Sequence, residues 1–302
     1  MKKSSDFIIL SVFIILISSI PSGCSRQAGT PEAATIPWIE RYGYTDQEIF
    51  PLITGGTIPG PRIAISVNGS TQFVLLDLIS YGLILGDRAF KSSKFEPQRI
   101  SNFTLGNTEL LVEEGYLHDV KILDMDFSLL YAAIIRRADP PLKAKGWLGK
   151  DFFLNGRMTI DMKNRILAFS THPAKALEEI ADPSAILEID LLKGASSVPG
   201  LIKFHGVAGR DSVLMTLDTR SYACQISPEL ANELGGGNGR TCKVDSLHIG
   251  NILLTDLNCT INEDQLLIEP ESFKPIHVSI GIEIIGQRLL TLDFKENRML
   301  ME

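Results

Sequence analysis

The chain has 302 residues, 44% of them hydrophobic and 22% charged, with a formal net charge of -7 at pH 7. That apolar share is enough for an ordinary core and excludes wholesale disorder. The acidic balance, with no run of Lys and Arg interleaved with aromatics, excludes nucleic acid as a partner.

Lys2 and Lys3 open the chain, Phe7 to Ile20 form an apolar stretch, and the small residues Ser22 and Gly23 lead to Cys24. The stretch is shorter than the ~20 residues that a membrane-spanning helix needs. The pattern resembles the lipobox of bacterial lipoproteins, with Pro21 where an aliphatic residue is usual. The resemblance implies export to the cell envelope and a lipid on the Cys24 thiol as the membrane contact. Residues 1–23 are then a signal peptide, and residues 24–45 the lipidated Cys and a tether. An ordinary cleaved signal and an uncleaved anchor are the competing readings.

Residues 46–172 read as a first unit. Pro59-Gly60 precedes an alternating strand (RIAISV), FVLLDLISYGLIL surrounds Asp77, FTLGNTELLV surrounds Gly106, and KGWLGKDFFLNGRMTIDMKNRILAF surrounds Gly149. Residues 173–195 form a connector in which PAKALEEI suggests a short helix. Residues 196–302 give the series again: Pro199-Gly200, Asp218 within VLMTLDTRSYACQIS, Gly250 within SLHIGNILL, and Gly281 within HVSIGIEIIGQRLLTLDFKENRMLM. Landmarks repeated in order at a spacing of roughly 140 residues indicate two duplicated domains, because solenoid repeats are far shorter. Short segments rich in β-branched and aromatic residues make each unit all-β. In the second, Pro228 to Leu234 is expected as a helix with Ser227 at its N-cap. The glycines from Gly235 to Gly239 are expected as a loop. TIDMKNRILAF and TLDFKENRMLM look like hairpins, whose Asp161 and Asp293 read as solvated or turn-capping residues.

Each unit resembles a lobe of the pepsin and retropepsin type of aspartic protease. Leu76-Asp77 and Leu217-Asp218 match the catalytic loop of that family, and Trp147-Leu148-Gly149 and Ser279-Ile280-Gly281 match its late glycine element. The resemblance implies two similar closed β-barrel-like lobes with a cleft between them, no cofactor, no metal, and a peptide or protein as substrate or ligand. It makes Asp77 and Asp218 the candidate catalytic dyad, supported by Thr219, Ser80 and Ser221. In such a dyad two close carboxylates share a proton, one activating water while the other polarises the scissile carbonyl.

The chain departs from the family where its Asp-Thr-Gly becomes Asp77-Leu78-Ile79 and Asp218-Thr219-Arg220. Leu78 lacks the bracing hydroxyl, and Ile79 and Arg220 put side chains where glycine lets the backbone pass. Two readings stay open: an anchored aspartic endopeptidase, and a catalytically silent module that binds peptide or another ligand in the same cleft. The first unit shows no well-marked flap, and the glycine run of the second offers a place for a lid.

Other chemistries find no pattern. The five His are scattered, no Gly-x-Ser-x-Gly is present, and Trp38 and Trp147 read as packing residues. Cys242 and Cys259 stand symmetrically about Gly250-Asn251. A two-residue turn there makes them a close, non-hydrogen-bonded pair, either bridged or reduced. Cys224 reads as a buried filler.

Overall fold

The computed structural model describes residues 36–55, 60–80, 82–86, 95–105, 108–139, 145–191, 201–236, 239–262 and 276–302. The signal segment, Cys24 and Pro199-Gly200 lie outside the described residues. A short helix, α1 (Pro37–Tyr42), leads to β1 (Ile49–Pro51). The first lobe follows with β2 (Arg62–Val67), β3 (Ser70–Asp77), β4 (Leu83–Gly86), β5 (Phe95–Leu105), β6 (Thr108–Ile122), β7 (Met125–Asp139) and β8 (Gly146–Gly149). The hairpin β9 (Arg157–Asp161) and β10 (Ile166–Ser170) comes next, and then the connector strands β11 (Ile186–Glu188) and β12 (Asp190–Leu191). The second lobe holds β13 (Ile202–Ala208), β14 (Asp211–Leu217), β15 (Gln225–Ile226), α2 (Pro228–Glu233), β16 (Thr241–Ile249), β17 (Ile252–Ile261), β18 (Val278–Ile280) and α3 (Ile282–Ile285), and the chain ends on β19 (Leu289–Asp293) and β20 (Arg298–Met301).

Two sheets close on themselves. The first runs β2-β3-β8-β4-β7-β6 and is sealed by a β2–β6 pairing, with β5 added outside β6. The second runs β13-β14-β18-β15-β17-β16 and is sealed by β13–β16, with β12 added outside β13. Strand for strand the two six-stranded barrels coincide, including the parallel pairs β3–β8 and β14–β18 and the parallel pairs β4–β7 and β15–β17. Closure removes the exposed sheet edges that an open sheet of this length carries.

This correspondence corrects one landmark. The hairpin β16–β17, turning at Gly250-Asn251, is equivalent to β6–β7, which turns at Leu123-Asp124 with Leu123 at φ 55°. It is not equivalent to the Gly106 segment. Gly106 itself lies outside the described residues, and β5 pairs with β6 as an extra hairpin that the second lobe replaces by α2. The first lobe therefore does carry a projecting hairpin after its Asp loop. The sequence hid it because its two strands hold few glycines. Gly115 on β6 is one: an added Cβ would fall 2.1 Å from the Glu96 carbonyl oxygen. The helix expected in the second lobe forms as α2, with the Ser227 hydroxyl accepting from Leu230 N at 3.2 Å and Pro228 in its first turn. In the connector, by contrast, the expected helix is replaced among the described residues by single 3-10 turns at Leu177–Glu179 and Pro183–Ala185.

A six-stranded sheet, β1-β10-β9-β19-β20-β11, joins the lobes. Its centre is the antiparallel pair β9–β19, where Thr159 faces Thr291 and their hydroxyls meet at 2.9 Å. Alternation sends Met158, Ile160, Leu167, Leu290, Leu292 and Met299 into the large common core. The opposite face presents small and polar side chains, and α1 covers it. Trp38, Tyr42 and Tyr44 are buried there with Ala168, Leu177, Ile180 and Leu300. Each ring also satisfies a polar group: Trp38 Nε1 donates to Asp161 at 2.6 Å, Tyr42 donates to Glu302 at 2.7 Å, and the Tyr44 hydroxyl meets Thr159 at 2.8 Å. Residues 36–45, expected as part of a tether, are thus a packed plug.

The two hairpin aspartates also differ from expectation. Both cap turns, Asp161 accepting from Asn164 N at 2.9 Å and Asp293 from Glu296 N at 3.2 Å. Neither is solvated, since both are buried. Asp293 instead takes two bonds from Arg157, at 2.9 and 2.7 Å, across the β9–β19 pair. An aromatic plug predicts a measurable loss on truncation. Trp38→Ala should lower the unfolding free energy by about 3–5 kcal/mol in urea titrations, whereas a free tether would register almost nothing.

Candidate functional site

Asp77 ends β3 beside Gly149 of β8, and Asp218 follows β14 with its N–H donating to Ile280 O at 2.9 Å. In both lobes a parallel strand and its terminal glycine hold the loop from behind. The reason is steric at Gly281, where a Cβ would come within 2.4 Å of the Ala223 oxygen. The loops also touch each other. Gly60, at φ 117°, passes so close that a Cβ would sit 2.5 Å from the Thr219 carbonyl oxygen. The Thr219 hydroxyl donates to Leu76 O at 2.7 Å and accepts from Leu78 N at 3.1 Å, so it reaches across from the second lobe to the first. The reciprocal bond has no donor, because Leu78 is apolar and buried in the core.

The two carboxylates meet in matched surroundings. Asp77 is wholly buried and accepts from Ile79 N at 2.9 Å, from Ser80 N at 3.2 Å and, at its other oxygen, from the Ser80 hydroxyl. Asp218 accepts from Arg220 N at 2.9 Å and, at its other oxygen, from the Ser221 hydroxyl at 2.9 Å. Between them lies Arg220. Its Nε is 3.3 Å from Asp218 Oδ1 and 3.8 Å from Asp77 Oδ1. Burial alone would lower the guanidinium pKa, but the fields of Asp77 and Asp218 outweigh it and hold the group above its ordinary value. Ile79 packs with Leu201 and Ile276 of the second lobe, an apolar lock where the family places glycine.

One buried cation beside the Asp77 loop escaped the sequence. Lys150, next to Gly149, is almost fully buried and its ammonium donates to Ile79 O at 3.5 Å. Burial pulls its pKa from 10.5 to about 8, against the opposing attraction of Asp77 and Asp151. The duplication contained a signal: Lys150 holds the position that Ile282 holds after Gly281 in the second lobe, a lone cation in an apolar run. Asp77 therefore lies in the field of two cations, Arg220 and Lys150.

Cys242 and Cys259 are opposite each other on β16 and β17, and Cys224, Cys242 and Cys259 are all free thiols. Among the described residues, no cluster of three or more His, Cys, Asp or Glu suits a metal ion. Also among them, no helix is long and apolar enough to cross a membrane. A cavity of about 450 Å³ opens on the α1 side of the six-stranded sheet and contains neither dyad residue. Its Lys and Arg side chains are already engaged: Arg157 with Asp293, Lys175 with Glu40 O and Arg41 O, Arg298 with Glu178, and Lys295 with Thr171 O. It adds no site.

No protein-family model matches the chain, and no curated protein matches it. Among solved structures it is similar to the aspartic proteinase from Irpex lacteus, at a TM-score of 0.54 and 11% identity. The match covers 84% of this chain and 96% of that one. The fold is thus the two-lobed, all-β fold of pepsin-like aspartic proteinases.

Two outcomes follow from this geometry. Thr219→Val strips a buried bond from both Leu76 and Leu78 and should cost about 1–3 kcal/mol in denaturant titration. For Lys150, the folded chain sheds a proton at about 8 that the unfolded chain keeps until 10.5. Stability therefore rises with pH across that window, and the rise should vanish in Lys150→Met when urea midpoints at its two ends are compared.

Proposed function

We propose that this protein is a catalytically silent relative in fold of the aspartic proteinases, exported and lipid-anchored at the cell envelope, that binds a peptide or another ligand in its inter-lobe cleft. The observation that carries the proposal is Arg220, whose Nε lies within 3.8 Å of an oxygen on each candidate dyad aspartate. In a working dyad, repulsion between close carboxylates forces one proton to be shared. A cation between the two offsets that repulsion, by about 4 kcal/mol per pair at roughly 4 Å and an effective dielectric near 20. The guanidinium, held against an oxygen of each carboxylate, also competes for the place that a water activated by both would need. Lys150 adds a second positive charge on the Asp77 side. Ile79, packed against Leu201 and Ile276, fixes the junction in this arrangement.

The same cation supports binding. Arg220 is held through Nε, its side chain stays partly exposed, and a guanidinium presents further N–H donors to a carbonyl or carboxylate oxygen. The competing reading is an anchored endopeptidase in which Asp77 and Asp218 share the acid and base roles. It draws on the Ser80 and Ser221 hydroxyls, which brace the two carboxylates alike.

One experiment separates the two. A quenched-fluorescence peptide library is incubated with the wild type and with Asp218→Asn from acidic to neutral pH, and binding is read in parallel by polarisation. The expected result is no hydrolysis by either protein, saturable binding of a subset of peptides, and binding weakened about tenfold in Arg220→Ala. Hydrolysis by the wild type that disappears in Asp218→Asn would overturn the silent reading. Absence of saturable binding to every peptide would overturn the ligand-binding one.

A further inference from the structure

Three thiols lie in a row in the second lobe. β17 is the middle of three adjacent strands, with β15 on one side and β16 on the other. Cys259 on β17 is the register partner of Cys242 on β16. Ile261 N donates to Arg240 O at 2.8 Å, so two residues along the ladder Cys242 and Cys259 form a hydrogen-bonded pair, with Cα atoms about 5.5 Å apart. The non-hydrogen-bonded pairing expected by counting from the Gly250-Asn251 turn is lost at the irregular Asp245/Asp256 step. On the other flank Gln225 pairs with Thr260 in the parallel ladder, which puts Cys224 beside Cys259, and Thr260 N donates to Cys224 O at 2.9 Å. The Cys224 and Cys259 thiols are within hydrogen-bonding reach of each other. All three belong to one buried apolar cluster.

We propose that Cys259 is a shared half-cystine that forms either of two mutually exclusive disulfides, with Cys242 across the antiparallel pair or with Cys224 across the parallel pair. Neighbouring strands bring Cα atoms within the span that a disulfide bridges. The first bridge requires a disulfide oxidant such as glutathione disulfide. The Cys259 thiolate attacks one of its sulfurs and releases one glutathione thiolate. The thiolate of Cys242 or Cys224 then attacks the Cys259 sulfur of the mixed disulfide and releases the second. Two protein thiols give up two protons and two electrons, and one glutathione disulfide becomes two glutathione thiols. Interconversion needs no further oxidant. The Cys224 thiolate attacks Cys259 Sγ, the Cys242–Cys259 bond breaks, and Cys242 leaves as a thiolate that takes up the proton Cys224 lost.

The choice of partner reaches the candidate site. Cys224 closes the loop that begins at Asp218. The next residue, Gln225, donates to the Ser221 hydroxyl at 2.8 Å, and Ser221 in turn donates to Asp218 at 2.9 Å. A Cys224–Cys259 bridge pins the end of this loop to β17. A Cys242–Cys259 bridge leaves it held by hydrogen bonds alone.

The test uses the full chain in detergent with Cys24→Ser, so that only these three thiols remain. The protein is reduced in denaturant, refolded in a glutathione redox buffer, quenched with iodoacetamide and mapped by peptide mass spectrometry, with circular dichroism confirming the fold. The expected result is a loss of two hydrogens, a fall from three labelled cysteines to one, and a bridge that always contains Cys259. Adding Cys242→Ser should leave the Cys224–Cys259 bridge, adding Cys224→Ser the Cys242–Cys259 bridge, and adding Cys259→Ser no bridge. Oxidation in only one of the first two variants would overturn the proposal. So would a Cys224–Cys242 bridge in the third, or three labelled cysteines throughout.

Discussion

The pairing of β9 with β19 is the constraint from which the rest of the arrangement descends. Two strands, one from each half of the chain, lie antiparallel with Thr159 opposite Thr291, and each strand leads back to its own barrel. Register in a two-sided sheet is unforgiving, because a slip of one residue exchanges the faces. Here one face carries the common apolar core, and the other carries the Arg157–Asp293 pair and the threonine hydroxyls. A slip would bury the wrong set on both sides at once. Once this register is fixed, the two barrels are placed by symmetry, and the loops that follow β3 and β14 meet at their junction.

That meeting is asymmetric in chemistry although symmetric in backbone. Ser80 and Ser221 treat their carboxylates alike, as a duplicated lobe requires. The next layer does not match. Thr219 reaches across while Leu78 cannot, and Arg220 extends between the carboxylates while Ile79 turns into an apolar contact with Leu201 and Ile276. The junction sets two Asp loops of matched backbone against each other, with a fixed cation against both carboxylates and a hydrophobic lock beside them. Lys150 completes the charge balance from the Asp77 side.

Much of this was legible in the residues, and where it was not the cause is physical. The repeats around Asp77 and Asp218, around Gly149 and Gly281, and in the two terminal hairpins are tied to backbone geometry, so their patterns survive duplication. Gly106 misled because a Leu-Gly pair marks a turn without saying which strands it joins. Only the pairings β2–β6 and β13–β16 show that the true partner of Gly250-Asn251 is Leu123-Asp124. Trp38 was readable as a packing residue, but its partners Asp161 and Leu300 lie far along the chain, and local composition made its segment look like linker. The burial of Asp293 was hidden for the same reason: Arg157 stands beside it only across the lobe boundary.

The aromatic plug also sets an orientation. Helix α1 lies against the face of the six-stranded sheet turned away from the common core of the lobes, so residue 36, where the described chain begins, stands on that side. The dozen residues between the proposed lipid at Cys24 and the start of the plug reach at most about 40 Å. Under the proposed anchoring, so short a leash would keep the α1 face of the sheet toward the bilayer and the lobes on its far side. Ligands would then arrive from the surrounding aqueous space, and those embedded in the leaflet that carries the anchor would be out of reach.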